Sequence, residues 1–118
     1  MDVNGRVAVI TGGVQGFGRR LAERLVGKGA KVVVGDIDDT KGKETVEQLN
    51  AAHGAKVSIY RTCDVTDSKQ LEALINSAVT EFGHLDVLVN NAGVIGTQLW
   101  HDADDSKLGR AVNVNVKA

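Results

Sequence analysis

Four short apolar runs, Arg6–Thr11, Lys31–Asp36, Lys56–Thr62 and Leu85–Asn90, alternate without a break with three longer segments patterned for helix. That alternation constrains the fold most tightly. Runs rich in Val, Ile and Leu read as strands buried on both faces, and parallel neighbours need crossovers of about a dozen residues, which each intervening segment supplies. The first run, Arg6-Val7-Ala8-Val9-Ile10-Thr11, is β-branched and bounded by glycines, and the second carries Val32, Val33 and Val34. Arg19–Lys28 sets Leu21, Leu25 and Val26 at helical spacing, with Gly27 and Gly29 as the stop. Asp39–His53 reads as a polar helix with Val46 and Leu49 turned inward, closed by Gly54 where a left-handed residue costs little. Asp67–Phe82 places Leu71, Leu74, Ile75, Ala78, Val79 and Phe82 on one stripe, with Asp67 as N-cap and Gly83 as terminator. Asp104–Ala118 reads as the start of a fourth helix.

These elements predict an α/β fold, a doubly wound parallel sheet of four strands with flanking helices. Right-handed crossovers put the first two helices on one face and the third and fourth on the other, with strand order 3-2-1-4. The fourth strand is then an edge, so Val87, Leu88 and Val89 are expected to recruit a second copy, giving a homodimer, or a complementary chain.

The 118 residues, 42% hydrophobic and 25% charged, suit one globular domain over 1–118. The net charge of −1 and four aromatic side chains, Phe17, Tyr60, Phe82 and Trp100, argue against a nucleic-acid platform built on phosphate neutralisation and base stacking. No run approaches the roughly 20 apolar residues of a membrane span, and no secretory leader is expected. Cys63 is the only cysteine, which excludes an internal disulfide and fits a reducing, cytoplasmic setting; it reads as a small core residue. His53, His84 and His101 show no metal or triad spacing, and Trp100 reads as loop or interface material.

Between the first strand and first helix lies Thr11-Gly12-Gly13-Val14-Gln15-Gly16-Phe17-Gly18. Glycines there let backbone approach a pyrophosphate resting on unpaired N–H groups at the positive helix end. Thr11, Gly12, Gln15, Gly16, Phe17 and Gly18 are the binding candidates of this turn. A P-loop is the rival cradle, and Gly13 to Gly18 has its glycine spacing, but Arg19 and Arg20 stand where Lys and Ser/Thr belong. Asp36, with Ile37 beside it, ends the second strand about 20 residues after Gly18, where an acidic side chain accepts hydrogen bonds from adenosine ribose hydroxyls and repels a 2′-phosphate. The expected cofactor is therefore NAD in preference to NADP.

Thr11-Gly12-x-x-x-Gly16-x-Gly18, Asp64-Val65 and Asn90-Asn91-Ala92-Gly93 resemble the short-chain dehydrogenases/reductases of the NAD-preferring type. The resemblance implies a Rossmann-like fold, truncated relative to the full family fold. It implies that Asp64 and Val65 contact adenine, that Asn90, Ala92 and Gly93 line the adenosine side, and that Val112 lies near it. Asn115, with Asn113 as the other register, is implied as the helix asparagine of the catalytic tetrad. Asn90 and Asn91 also suit a turn, and Asn115 an ordinary helix position. The family's serine and Tyr-x-x-x-Lys pair are expected beyond Ala118, since Tyr60, the only tyrosine, sits on a strand and reads as packing. Two functions follow as expectations: the NAD-binding portion of an alcohol or carbonyl oxidoreductase, inactive in isolation, or an NAD-binding module, sensor or scaffold without turnover.

Overall fold

The first apolar run forms β1 (Val7–Thr11), buried along its whole length because it occupies the middle of the sheet. The computed structural model describes residues 2–14, 16–90 and 112–115. After β1 come α1 (Gly16–Gly27), β2 (Lys31–Asp36), α2 (Asp39–His53), β3 (Ser58–Thr62), α3 (Ser68–Phe82), β4 (Val87–Asn90) and β5 (Val112–Asn115). All the strand pairings are parallel, in the order β3-β2-β1-β4-β5.

Strand alternation sorts the core into two layers. Ala8, Ile10, Val32, Val34 and Val89 pack with Ala22 and Val26 of α1 and Leu49 of α2. Val7, Val9, Val33 and Leu88 face the other way, against Leu71, Leu74, Ile75 and Ala78 of α3. The first two helices thus share one face and the third covers the other, as right-handed crossovers demand. A Cβ on Gly35 of β2 would overlap Leu74, so α3 comes closer to the sheet than any other residue type would allow.

The helix ends carry the expected chemistry. Asp67 Oδ1 accepts from the Lys69 and Gln70 amides at 3.0 and 3.4 Å, and Asp38 Oδ1 accepts from the Lys41 amide at 3.0 Å. Gly54 and Gly83 close α2 and α3 at φ 61° and 89°. Near the start of β3 the Asn50 side chain of α2 takes three backbone bonds. Its Oδ1 accepts from the Val57 and Ser58 amides at 2.9 Å each, and its Nδ2 donates to the Ser58 carbonyl at 3.1 Å.

Two expectations need correction. Val112–Asn115, read as part of a fourth helix, forms β5, paired with β4 from Val87↔Val112 to Asn90↔Asn115. The physical reason lies in Val112-Asn113-Val114-Asn115 itself, an apolar–polar alternation of period two that suits a strand. The sheet therefore has five strands, and β4 is not an edge. The exposed fourth-strand edge expected to drive a homodimer or capture a complementary chain is filled by the chain's own β5, and Leu88 and Val89 are buried. The rest of the expected fourth helix lies outside the described residues. No helix among the described residues is long and apolar enough to cross a membrane.

Candidate functional site

Parallel strands all end on one side of the sheet, and in open α/β sheets ligands collect outside those carboxyl ends, where the strand order reverses direction. Here the reversal falls between β1 and β4. Thr11 and Asn90, the last residues of those strands, are register partners, and both are fully buried. The Thr11 hydroxyl lies 3.4 Å from the Val89 carbonyl and 3.3 Å from Asn90 Oδ1, which ties the two strand ends together. Asn115 extends the same row as the register partner of Asn90. Val112 does not reach this rim: it pairs with Val87, at the opposite end of β4.

The glycine-rich turn leaves β1 in the geometry its composition dictates. Gly12 donates to the Gly35 carbonyl at 2.7 Å, and Gly12 and Gly16 take φ values of 66° and 59°, where only glycine is unstrained. At Gly16 an added Cβ would meet nothing within 4 Å, so space stays open in front of the first turn of α1. The unpaired N–H groups of that turn and the positive helix end suit a pyrophosphate. Gly13 has a different duty that sequence reasoning missed: its Cβ would come 2.7 Å from Val34 Cγ1, so it lets the turn fold flat on the sheet. Gly18 is buried in α1, and the Phe17 ring is 53% exposed. Gln15 lies outside the described residues.

Asp36 closes β2. Its Oδ1 accepts from the Ile37 amide at 2.7 Å and the Asp38 amide at 3.1 Å, which fixes the carboxylate, and Oδ2 has no hydrogen-bond partner among the described residues. Ile37 beside it is 74% exposed. Phe17 and Ile37 are the large hydrophobic side chains that the described surface leaves exposed, Phe17 in the first turn of α1 and Ile37 in the loop after β2, both at this rim.

Behind Asp36 lies a hydrogen-bonded cluster that motif spacing did not reveal. Tyr60 Oη sits 2.7 Å from the Asp36 carbonyl oxygen and 2.7 Å from Asp39 Oδ1, and the Thr62 hydroxyl donates to the same carboxylate oxygen. The bonds from Thr62 and then Tyr60 hold the Asp39 carboxyl below its usual range. Burial first, and then the Asp39 carboxylate, push the Tyr60 phenol well above its usual range. A phenol serving as proton relay needs the opposite shift, and position 64, four residues on, is aspartate instead of lysine. Tyr60 is a structural residue, as its strand position suggests. Its signal in the sequence was the pair Tyr60 and Thr62 on one strand face, opposite Asp36-x-x-Asp39, legible only once Asp36 and Thr62 are known to be register partners.

Asp64 follows β3, and its Oδ1 accepts from the Thr66 amide at 2.9 Å and the Thr66 hydroxyl at 2.7 Å, bonds that lower its carboxyl pKa. Val65 is half-buried against the α3 layer. Cys63 is buried, and burial, reinforced by Asp64 and Asp67, pushes its thiol up to about 11. His84 Nε2 lies 2.8 Å from Asp86 Oδ2 just ahead of β4, at the far end of the sheet from the rim. Among the described residues no group of three or more His, Cys, Asp or Glu could hold a metal ion. Asn91, Ala92, Gly93, Trp100 and His101 lie outside the described residues.

The short chain dehydrogenase family model matches residues 6–118. Human 15-hydroxyprostaglandin dehydrogenase [NAD(+)] is 42% identical over 100 residues, covering 85% of this chain and 38% of that protein. Momilactone A synthase of rice is 44% identical over 114 residues, covering 95% and 40%. An uncharacterized oxidoreductase of Mycobacterium bovis is 36% identical over 115 residues, covering 98% and 45%. Among solved structures, a short chain dehydrogenase/reductase from Burkholderia phymatum in complex with NAD has a TM-score of 0.74 and 42% identity, covering 80% of this chain and 33% of that one. The chain spans less than half the length of each of these proteins. The chain belongs to the short chain dehydrogenase family, and the stretch it spans is the one that carries the glycine-rich turn and the acidic end of the second strand.

Proposed function

We propose that this chain is the NAD-binding portion of an oxidoreductase that moves a hydride between NAD(H) and an alcohol or carbonyl substrate. The observation that carries this reading is the Asp36 carboxylate, anchored through Oδ1 at the end of β2, with Oδ2 making no bond among the described residues. Such a group accepts ribose hydroxyls and repels a 2′-phosphate. The amides of the first turn of α1, from Gly16 on, hold the pyrophosphate, Gly12 shapes the turn that presents them, and Phe17, Gly18 and Ile37 border it. Asp64 and Val65 serve adenine, and Asn90, Ala92 and Gly93 the adenosine side. NAD, when bound, supplies the hydride acceptor. The NAD in the Burkholderia phymatum complex and the NAD(+) in the human relative's name support the same reading.

A titration tests it. NAD+ is expected to bind at least about tenfold more tightly than NADP+, since like charges brought together cost more than the 1.4 kcal/mol that tenfold represents. Asp36→Ala is expected to erase the difference. Equal affinities in the unaltered chain overturn the assignment of Asp36.

A second reading, an NAD-binding module without turnover, is favoured by Tyr60, whose hydroxyl is committed to Asp36 and Asp39. On this reading these 118 residues hold NAD without turnover, as a module, sensor or scaffold; NAD reduction by this chain alone with simple alcohols refutes it. Asn115, expected on a helix but standing on β5 as the register partner of Asn90, is proposed as the tetrad asparagine. The buried free thiol of Cys63 supports a reducing, cytoplasmic setting. Self-association is not proposed at β4.

A further inference from the structure

We propose that Tyr60 is a positioning residue for ribose recognition, holding the loop after β2 through the Asp36 carbonyl and the Asp39 carboxylate so that the Asp36 side chain meets the adenosine ribose diol. This rests on the assignment of Asp36 as the ribose acceptor.

The sheet ladder between β2 and β3 ends at Asp36↔Thr62. Beyond it, the loop's own hydrogen bonds are local: the Ile37 and Asp38 amides to Asp36 Oδ1, and the Lys41 amide to Asp38 Oδ1. Local bonds shape the loop but do not fix it against β3. That link comes from across the sheet. The Asp36 carbonyl oxygen receives the Cys63 amide at 2.9 Å and the Tyr60 hydroxyl at 2.7 Å, so both of its lone pairs are engaged. This carbonyl and the Ile37 N–H are the two ends of one planar peptide. Fixing the carbonyl therefore aims the N–H, and that N–H grips Asp36 Oδ1 at 2.7 Å. Tyr60 acts on the carboxylate through a single peptide plane.

The donor is itself well seated. The Tyr60 ring packs on α2 at Gly42, where an added Cβ would overlap ring carbons Cε1, Cδ1 and Cζ. Its hydroxyl has one proton, shared between the Asp36 carbonyl and Asp39 Oδ1 in the first turn of α2, each at 2.7 Å, so a single three-centre bond spans both ends of the loop.

Tyr60→Phe keeps the ring and removes the tether. In the ligand-free chain, hydrogen exchange of the Ile37 amide is expected to quicken about tenfold, the scale of one lost hydrogen bond, while that of Val33 in the buried ladder is unchanged. In titrations, the ratio of affinities for NAD+ and its adenosine 2′-deoxy analogue is expected to be about tenfold in the unaltered chain and to fall to about threefold or less in Tyr60→Phe. Thr62→Val removes the other donor to Asp39 without touching the Asp36 carbonyl, and is expected to leave that ratio within about twofold of the unaltered chain, which sets positioning apart from general loosening. Asp36→Ala separates the two claims. If it abolishes the ratio while Tyr60→Phe preserves it, the role of Tyr60 is overturned and the ribose assignment stands. If Asp36→Ala keeps the ratio, the ribose assignment fails, and the role of Tyr60 fails with it.

Discussion

Gly42→Ala offers a test in which the structure and helix propensity predict opposite signs. In an exposed helix this change stabilises by about 1 kcal/mol, because alanine restricts the unfolded chain and glycine does not. Gly42, near the start of α2, is buried, and a Cβ there overlaps three carbons of the Tyr60 ring. Carbon atoms pack best at about 3.5–4.0 Å, so the ring must withdraw by more than about 1 Å. Overpacking of this kind costs about 1–3 kcal/mol. A withdrawn ring also loses the hydroxyl bond to the Asp36 carbonyl, worth about 1 kcal/mol. Set against the propensity gain, the net expectation is a destabilisation of about 1–3 kcal/mol, or a Tm lowered by about 5–15 °C for a domain of this size. Thermal unfolding followed by circular dichroism reads it directly. Gly27→Ala is the control: it lies at the end of α1 with nothing within 4 Å of its Cβ, and is expected to hold or raise Tm. In the double variant Gly42→Ala, Tyr60→Ala the methyl group occupies space the ring vacated, so the two costs should be strongly non-additive. A Gly42→Ala chain that melts at or above the unaltered chain refutes the seat assigned to Tyr60.

Three further outcomes follow from groups described above. Thr45 is buried with a hydroxyl that has no partner among the described residues, so Thr45→Val is expected to stabilise by about 1 kcal/mol in urea titrations; a loss of stability contradicts the unsatisfied hydroxyl. Cys63, pushed up to about 11 from 9.0, holds about a hundredfold less thiolate than an ordinary cysteine at neutral pH and is also buried. It should react with a disulfide reagent at least about a hundredfold more slowly in the native chain than in urea, and comparable rates would contradict its burial. Tyr60 has a folded pKa above its unfolded value of 10.0, so the folded state holds its proton more tightly. Its contribution is complete below pH 10.0 and is lost as pH rises further, while that of Asp39, with a lowered pKa, is lost as pH falls below 3.8. Urea midpoints across both limbs should show the alkaline loss diminish in Tyr60→Phe.

Much of the fold is legible in the sequence because each element closes on its own chemistry. Asp39–His53 is bracketed by a cap at Asp38 and a left-handed Gly54, and the bounds read from residues match those of α2. The start of α1 was less clear. Read as beginning at Arg19, it begins at Gly16, because glycine is a poor helix former and the turn's glycines overlap the helix start. Continuing the strand–helix alternation past Asp104 predicts helix, whereas Val112 to Asn115 alternates with period two and forms β5. At the rim, Thr11, Asp36 and Asn90 were legible as strand ends. The clamp of Tyr60, Thr62 and Asp39 was not, because it depends on residues 21 to 24 positions apart meeting across a parallel register. Gly13 and Gly42 were opaque for a related reason: what demands glycine there is a neighbour's side chain, Val34 or Tyr60, and not the local backbone.

The Asn50 amide described at the start of β3 has a consequence for how far the sheet can grow. Since the Ser58 N–H and C=O both bond to that amide, the side chain occupies the place a sixth strand would take at this position. An incoming chain finds the first rung of β3 already filled, with only the short remainder of a five-residue strand left to template it. One side chain, supplied by the preceding helix, thus guards the outer border of the sheet against fibril-like extension.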